Sequence, residues 1–143
     1  MTTRSASARY EGLGKDGKGQ VSLGSGLLSN SPYGFNTRFE DSPGTNPEEL
    51  IAAAHASCFT MALSFALAGE GHSVGTLETT AKVTLVKDGD GFTISKSALA
   101  LTARVEGIEE DEFKRIADGA KKNCPVSKVL NAEITLDITL TEA

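Results

Sequence analysis

The sequence predicts an α+β domain with mostly antiparallel strands, in the order βββ-α-ββ-α-β, and a core helix against the sheet. Three observations carry that expectation. Leu50 to Ala68 is a run of nineteen residues without a Lys, Arg, Asp or Glu. Two long alternating stretches follow, joined by a short polar turn. A second helical stripe then leads into one more alternating strand. The 143 residues read as a single domain, 1–143, large enough to bury about two-thirds of its unfolded surface without a metal or a disulfide.

The elements follow in chain order. Residues 11 to 19 hold four glycines, which marks a turn between short strands at Ala6 to Tyr10 and Gln20 to Leu23. Tyr33 to Phe39 alternates, with Tyr33, Phe35, Thr37 and Phe39 on one face, and is expected as a third strand that places Arg38 on its polar side. Asn46-Pro47-Glu48-Glu49 is a helix start: Asn46 as N-cap, Pro47 at the first helical position and Glu49 closing a capping box. The uncharged run is long enough to span a membrane. Seven of its nineteen residues are Ala, however, four more are His, Ser or Thr, and both flanks are acidic. It is therefore expected as a core helix packed by protein on every side. Leu77 to Val86 and Phe92 to Val105 form a hairpin about Lys87–Gly91. Glu109 to Asn123 is a helix whose stripe Phe113, Ile116, Ala117, Ala120 continues to Cys124. Pro125 to Leu130 is expected to add a helical turn, and Glu133 to Leu140 is the last strand, with Ile134, Leu136, Ile138 and Leu140 inward.

Composition excludes several functions. Fourteen basic against nineteen acidic residues leave a net charge of −5, with no basic run for nucleic acid or an anionic membrane. With no Trp there is little to build a base-stacking platform. The polar start has no apolar core of a signal peptide, and two cysteines are too few for a secreted disulfide scaffold, so the cytosol is the expected compartment. There, two cysteines are either inert packing groups or a redox pair.

Cys58 sits mid-way along the apolar helix, where a free cysteine most often packs as a small hydrophobe. Cys124 leaves the second helix directly before Pro125. If the two stripes meet in one core, the sulfurs meet there too and make a reversible dithiol–disulfide couple. A buried thiol needs a cation to ionise. His55, three residues before Cys58, shares its helix face, although a neutral core histidine bonded to a carbonyl is the plainer reading. Arg38 is the other candidate, and Glu48 is placed either to hold it by a bidentate contact or simply to offset the helix dipole. Glu48 and Cys58 are ten positions apart, about 15 Å along one helix, so Arg38 must span the gap or a second chain must contribute. A zinc site from His55, Cys58, His72 and Cys124 has the right ligand count but not the paired spacing of structural zinc ligands.

Gly44-Thr45-Asn46-Pro47-Glu48-Glu49-Leu50, Ala53-Ala54-His55-Ala56-Ser57-Cys58-Phe59 and Asn123-Cys124-Pro125-Val126-Ser127 together resemble the OsmC/Ohr family of thiol peroxidases. Pro32 to Phe39 and Leu130 to Asp137 are similar to its OsmC (osmotically inducible protein C) branch. The resemblance implies an OsmC-like fold, an intertwined homodimer with active sites at the subunit interface, and no cofactor. It maps the peroxide-reacting cysteine to Cys58, the resolving cysteine to Cys124 and the activating pair to Arg38 and Glu48, and gives His55 no role. It further implies reduction of organic hydroperoxides, more weakly of hydrogen peroxide, in oxidative or osmotic stress defence. The cycle would pass through a Cys58 sulfenic acid and a Cys58–Cys124 disulfide, which an external dithiol such as a lipoylated protein resets. Neither nucleic acid nor membrane is an expected partner. A non-catalytic thiol sensor or a stress-associated binding protein is the alternative.

Overall fold

A proline has no N–H to leave unpaired in the first turn of a helix, and in the computed structural model of the chain Pro47 opens helix α2, Pro47–Gly69. Residues 1–142 are described. Before α2 come strands β1 (Ala6–Glu11), β2 (Lys18–Leu23) and β3 (Ser31–Tyr33), then a short helix α1 (Phe35–Phe39). After it come β4 (Gly75–Asp88), β5 (Gly91–Val105), α3 (Glu110–Asn123), α4 (Pro125–Val129) and β6 (Glu133–Thr141). The chain divides into two compact units, residues 1–50 and residues from Ile51 onward.

The first unit holds an antiparallel sheet in the order β1-β2-β3. The expected third strand is corrected here. Only Ser31–Tyr33 pairs with β2, and the alternating segment from Phe35 to Phe39 turns into α1. Alternation over five residues is weak, and local hydrogen bonding overrides it: Thr37 Oγ1 accepts from the Gly34 amide at 2.7 Å and donates to the Gly34 carbonyl at 3.0 Å. Arg38 therefore stands on a helix, not on a strand. Gly44 closes the next loop with φ +137°, and a Cβ there would lie 2.4 Å from the Pro32 carbonyl oxygen, so only glycine fits. The Thr45 amide then bonds that same carbonyl at 2.9 Å.

Asn46 caps α2 as its sequence predicts: its Oδ1 accepts from the Glu49 amide at 2.8 Å. The reciprocal half of the capping box is replaced, because the Glu49 carboxylate takes the Thr45 hydroxyl at 2.8 Å instead. Asn46 also donates to the Thr37 carbonyl at 2.9 Å, tying the end of α1 to the start of α2.

In the second unit β4 and β5 pair antiparallel from Gly75–Val105 to Asp88–Gly91, with a bulge at Thr84/Leu85. Strand β6 then pairs parallel to β5, a pairing that needs the crossover supplied by α3 and α4. The core gathers Phe59, Leu63 and Leu67 of α2, Leu99, Leu101, Ala103 and Val105 of β5, and Phe113, Ile116, Ala117 and Ala120 of α3. Every residue expected on the α3 stripe is buried, because its period matches the helix and one face meets the sheet.

The central helix departs from expectation. It is not covered on all sides: Ala53, Ala54 and Ser57 are exposed, Met61 is 61% exposed and Phe65 73%. Composition is apolar around the whole helix, but a single subunit covers only one face. Among the described residues it is the helix long and apolar enough to cross a membrane, yet its Phe59, Leu63 and Leu67 belong to the core.

Candidate active site

Two arrangements of chemical side chains emerge, one in each unit. In the first, Arg38 on α1 and Glu48 in the first turn of α2 form a bidentate ion pair. Arg38 Nε donates to Glu48 Oε1 at 2.8 Å and Nη2 to Oε2 at 3.1 Å. Such a fork holds the guanidinium in a fixed plane, which a lysine would not do. Glu48 is buried, whereas Arg38 keeps an exposed edge beside the Phe39 ring, its Cζ 5.5 Å from the ring centroid. Tyr10, Tyr33, Phe35 and Phe39 line a pocket of about 350 Å³ that also touches Arg38 and Lys15.

In the second unit the helix stripes do meet, and the two cysteines with them. Both are free thiols; Cys124 is fully buried and Cys58, packed against the same core, is half-buried. Burial pushes the Cys58 thiol up, and the adjacent Cys124 adds to the shift against the Val126 amide, which lowers it. Burial also raises Cys124, but the Cys58 thiol, the Ser127 amide and hydroxyl and the Val126 amide outweigh it, and the net shift is downward. Cys124 is the N-cap residue of α4, and its thiol makes no capping bond of regular geometry. Burial thus works against a Cys58 thiolate, which a nearby cation would favour.

The ring of His55 is engaged elsewhere. Fully buried, its ring is held at both nitrogens, with Nδ1 2.6 Å from Ser97 Oγ on β5 and Nε2 2.8 Å from Ser127 Oγ on α4. The neutral core histidine is what forms, with hydroxyls in place of the expected carbonyl, because α2 faces two strand-and-helix serines at that level. Burial lowers its pKa, so it stays an imidazole at neutral pH. Ser97 and Ser127 were not legible as partners: 42 and 72 residues separate them from His55. With both ring nitrogens taken, His55 offers no lone pair to a metal. His72 pairs instead with Glu112 at 3.3 Å. Among the described residues no three His, Cys, Asp or Glu side chains come together as metal ligands.

The buried imidazole makes stability pH-dependent with a definite sign. Its folded pKa lies below the unfolded value of about 6.5, so the contribution is complete above that pH and is lost as pH falls. Chemical denaturation from pH 7.5 down to 5 is expected to show wild type losing stability faster than His55→Gln. Parallel pH slopes for the two proteins would contradict a buried neutral imidazole.

Comparison with known proteins places these features in a group. The sequence model described as OsmC-like protein matches residues 39–139, a span that takes in Glu48, Cys58 and Cys124 and begins one residue after Arg38. Peroxiredoxin OsmC of Escherichia coli is 55% identical over 133 residues, 93% of each chain. The organic hydroperoxide resistance protein OhrA of Bacillus subtilis is 37% identical over 98 residues, 66% of this chain and 67% of that one. Among solved structures, OhrB of Bacillus subtilis superposes with a TM-score of 0.69 at 25% identity, covering 98% of both chains.

Proposed function

The chain belongs to the family of OsmC-like proteins and is a thiol-dependent peroxidase, and we propose that it reduces organic hydroperoxides through Cys58 and Cys124. The observation that carries this reading is the meeting of the two free thiols in the core of the second unit. The Cys58 thiolate attacks the outer peroxide oxygen, the O–O bond breaks, and the alkoxide leaves as alcohol with a proton from solvent. Cys58 is left as a sulfenic acid. Cys124 condenses with it, releasing water and forming a disulfide, and an external dithiol, in the cytosol a lipoylated protein, reduces the pair again.

The cation is proposed to be Arg38, oriented by Glu48, whose bidentate hold fixes the guanidinium plane. The apolar core against which Cys58 packs favours a substrate with an apolar group over hydrogen peroxide. Turnover of cumene hydroperoxide against hydrogen peroxide, with dihydrolipoamide as reductant, tests the reading. The organic peroxide is expected to be consumed at least tenfold faster, as burying a few methylenes of substrate implies. Absence of steady-state consumption with either would leave the dithiol as a stress sensor. Stoichiometric peroxide is also expected to yield one disulfide, Cys58–Cys124, within each chain. Peptide mapping that found only intermolecular disulfides or glutathione adducts would overturn the two-cysteine cycle within one chain.

We further propose that the working form is a homodimer in which a second copy covers the exposed face of α2. Met61 and Phe65 stand exposed on the same helix as Ala53 and Ala54, apolar surface that water disfavours. Phe65→Glu is expected to turn a dimer into a monomer by light scattering at low micromolar concentration, since a charge there must be desolvated on association. A wild type that is itself monomeric would refute the arrangement.

A further inference from the structure

A second chain of contacts ends on Cys124 rather than on Cys58. Ser97, His55 and Cys124 are fully buried and Ser127 nearly so. Ser97 Oγ lies 2.6 Å from one ring nitrogen of His55, and Ser127 Oγ lies 2.8 Å from the other. Ser127 stands three residues after Cys124, in the single turn of α4 that Cys124 begins, a spacing that puts the two side chains on one face of that turn. None of these three polar residues takes part in the cycle described above. A buried, fully bonded polar network in an otherwise apolar core is costly to leave half satisfied, so each member constrains the next.

We propose that His55 is a positioning residue for the resolving cysteine, turning the Ser127 hydroxyl toward the Cys124 sulfur so that Cys124 attacks the Cys58 sulfenic acid. The inference rests on the peroxidase reading of the two cysteines. Its logic is that of a neutral imidazole, which has one N–H and one lone pair. When Nε2 carries the proton, it donates to Ser127 Oγ and the Ser97 hydroxyl donates to Nδ1. The Ser127 O–H is then free to donate to an ionised Cys124 sulfur. When Nδ1 carries the proton, it donates to Ser97, the Ser127 hydroxyl donates to Nε2, and Ser127 Oγ is left to accept from a protonated Cys124. The two tautomers thus match the two states of the thiol without His55 ever taking a charge, in keeping with its lowered pKa.

The step itself balances. The Cys124 sulfur bonds to the Cys58 sulfenic sulfur as the S–O bond breaks; hydroxide leaves and combines with the proton that Cys124 gave up, forming water. No electron leaves the two residues.

The groups around Cys124 keep its titration within this network. From α2 the titratable groups are Cys58 and His55. In the last turn of α3, Lys121 and Lys122 both pair with Asp118, and α4 adds the exposed Lys128. Among the polar residues of β5 only Ser97 is buried, Lys96 being paired with Glu133 of β6, while Asp137 of β6 is exposed.

The test is a single turnover with stoichiometric cumene hydroperoxide, quenched at intervals with a dimedone reagent and read by intact mass, from pH 5.5 to 9. Sulfenic acid and disulfide are counted separately in each sample. Ser127→Ala is expected to slow conversion of sulfenic acid to disulfide about tenfold, the worth of one hydrogen bond to a charged sulfur, and to move its pH profile upward. Ser127→Thr, which keeps the hydroxyl, restores the rate, and Ser97→Ala, at the far end of the chain, slows it less in the same direction. Conversion in Ser127→Ala at the wild-type rate and pH profile would overturn the proposal, as would a Ser127→Thr as slow as Ser127→Ala. Wild type that forms neither sulfenic acid nor disulfide would overturn the peroxidase reading itself.

Discussion

Cys58→Ser is expected to lower peroxide consumption to the uncatalysed rate at every reductant concentration. A serine hydroxyl remains protonated at neutral pH and its oxygen cannot be oxidised by a peroxide, so neither the attack nor the sulfenic acid survives. The fold should tolerate the change, because Cys58 is only half-buried and the substitution exchanges one small side chain for another. Cys124→Ser separates the roles. One equivalent of peroxide makes the sulfenic acid, and further equivalents carry Cys58 on to sulfinic and sulfonic acid, since no neighbouring sulfur resolves it. The measurement is peroxide remaining against time, with intact mass taken on the same samples. If Cys58→Ser turns over and Cys124→Ser does not, the two assignments are exchanged.

Arg38→Ala is expected to slow oxidation of Cys58 by ~100-fold, the effect of losing a charge contact worth a few kcal/mol. Burial leaves the Cys58 thiol above its ordinary value, so the thiolate fraction at neutral pH is small unless a cation raises it. Its alkylation profile should therefore move to higher pH in Arg38→Ala, with reactivity lost first on the neutral side. Arg38→Lys should recover little, because the fork donated by Nε and Nη2 to both Glu48 oxygens cannot be formed by a single ammonium. Glu48→Gln should fall between them, keeping the cation but loosening its plane. His55→Gln should move the profile less than Arg38→Ala, since both its ring nitrogens are committed to serines and neither faces Cys58. A larger shift in His55→Gln than in Arg38→Ala would make the histidine the activating group.

Long periodic segments were the most legible. The stripe of α3 and the alternation of β4, β5 and β6 repeat over nine to fifteen residues, enough for one period to exclude the other. The start of α2 was readable because Asn46 and Pro47 each have a local reason to be there. The segment from Phe35 to Phe39 reads as a strand but folds as α1, for there a two-residue alternation competes with a Gly34–Thr37 hydrogen-bonded turn, and the turn is closed by bonds that pattern does not reveal.

Of the site, the candidate residues were evident by type, and their company was not. The sequence alone determined that two thiols sit on apolar helix stripes, that an acid opens the central helix, and that Arg38 precedes it, because each of these is a matter of spacing along one element. Tertiary structure decided that the stripes meet, that Arg38 reaches Glu48 from a helix, that His55 is held by Ser97 and Ser127, and that the outer face of α2 stands open. Contacts across 42 and 72 residues depend on how β5 and α4 are packed against α2. Packing answers to burial of the whole chain rather than to any local run of it.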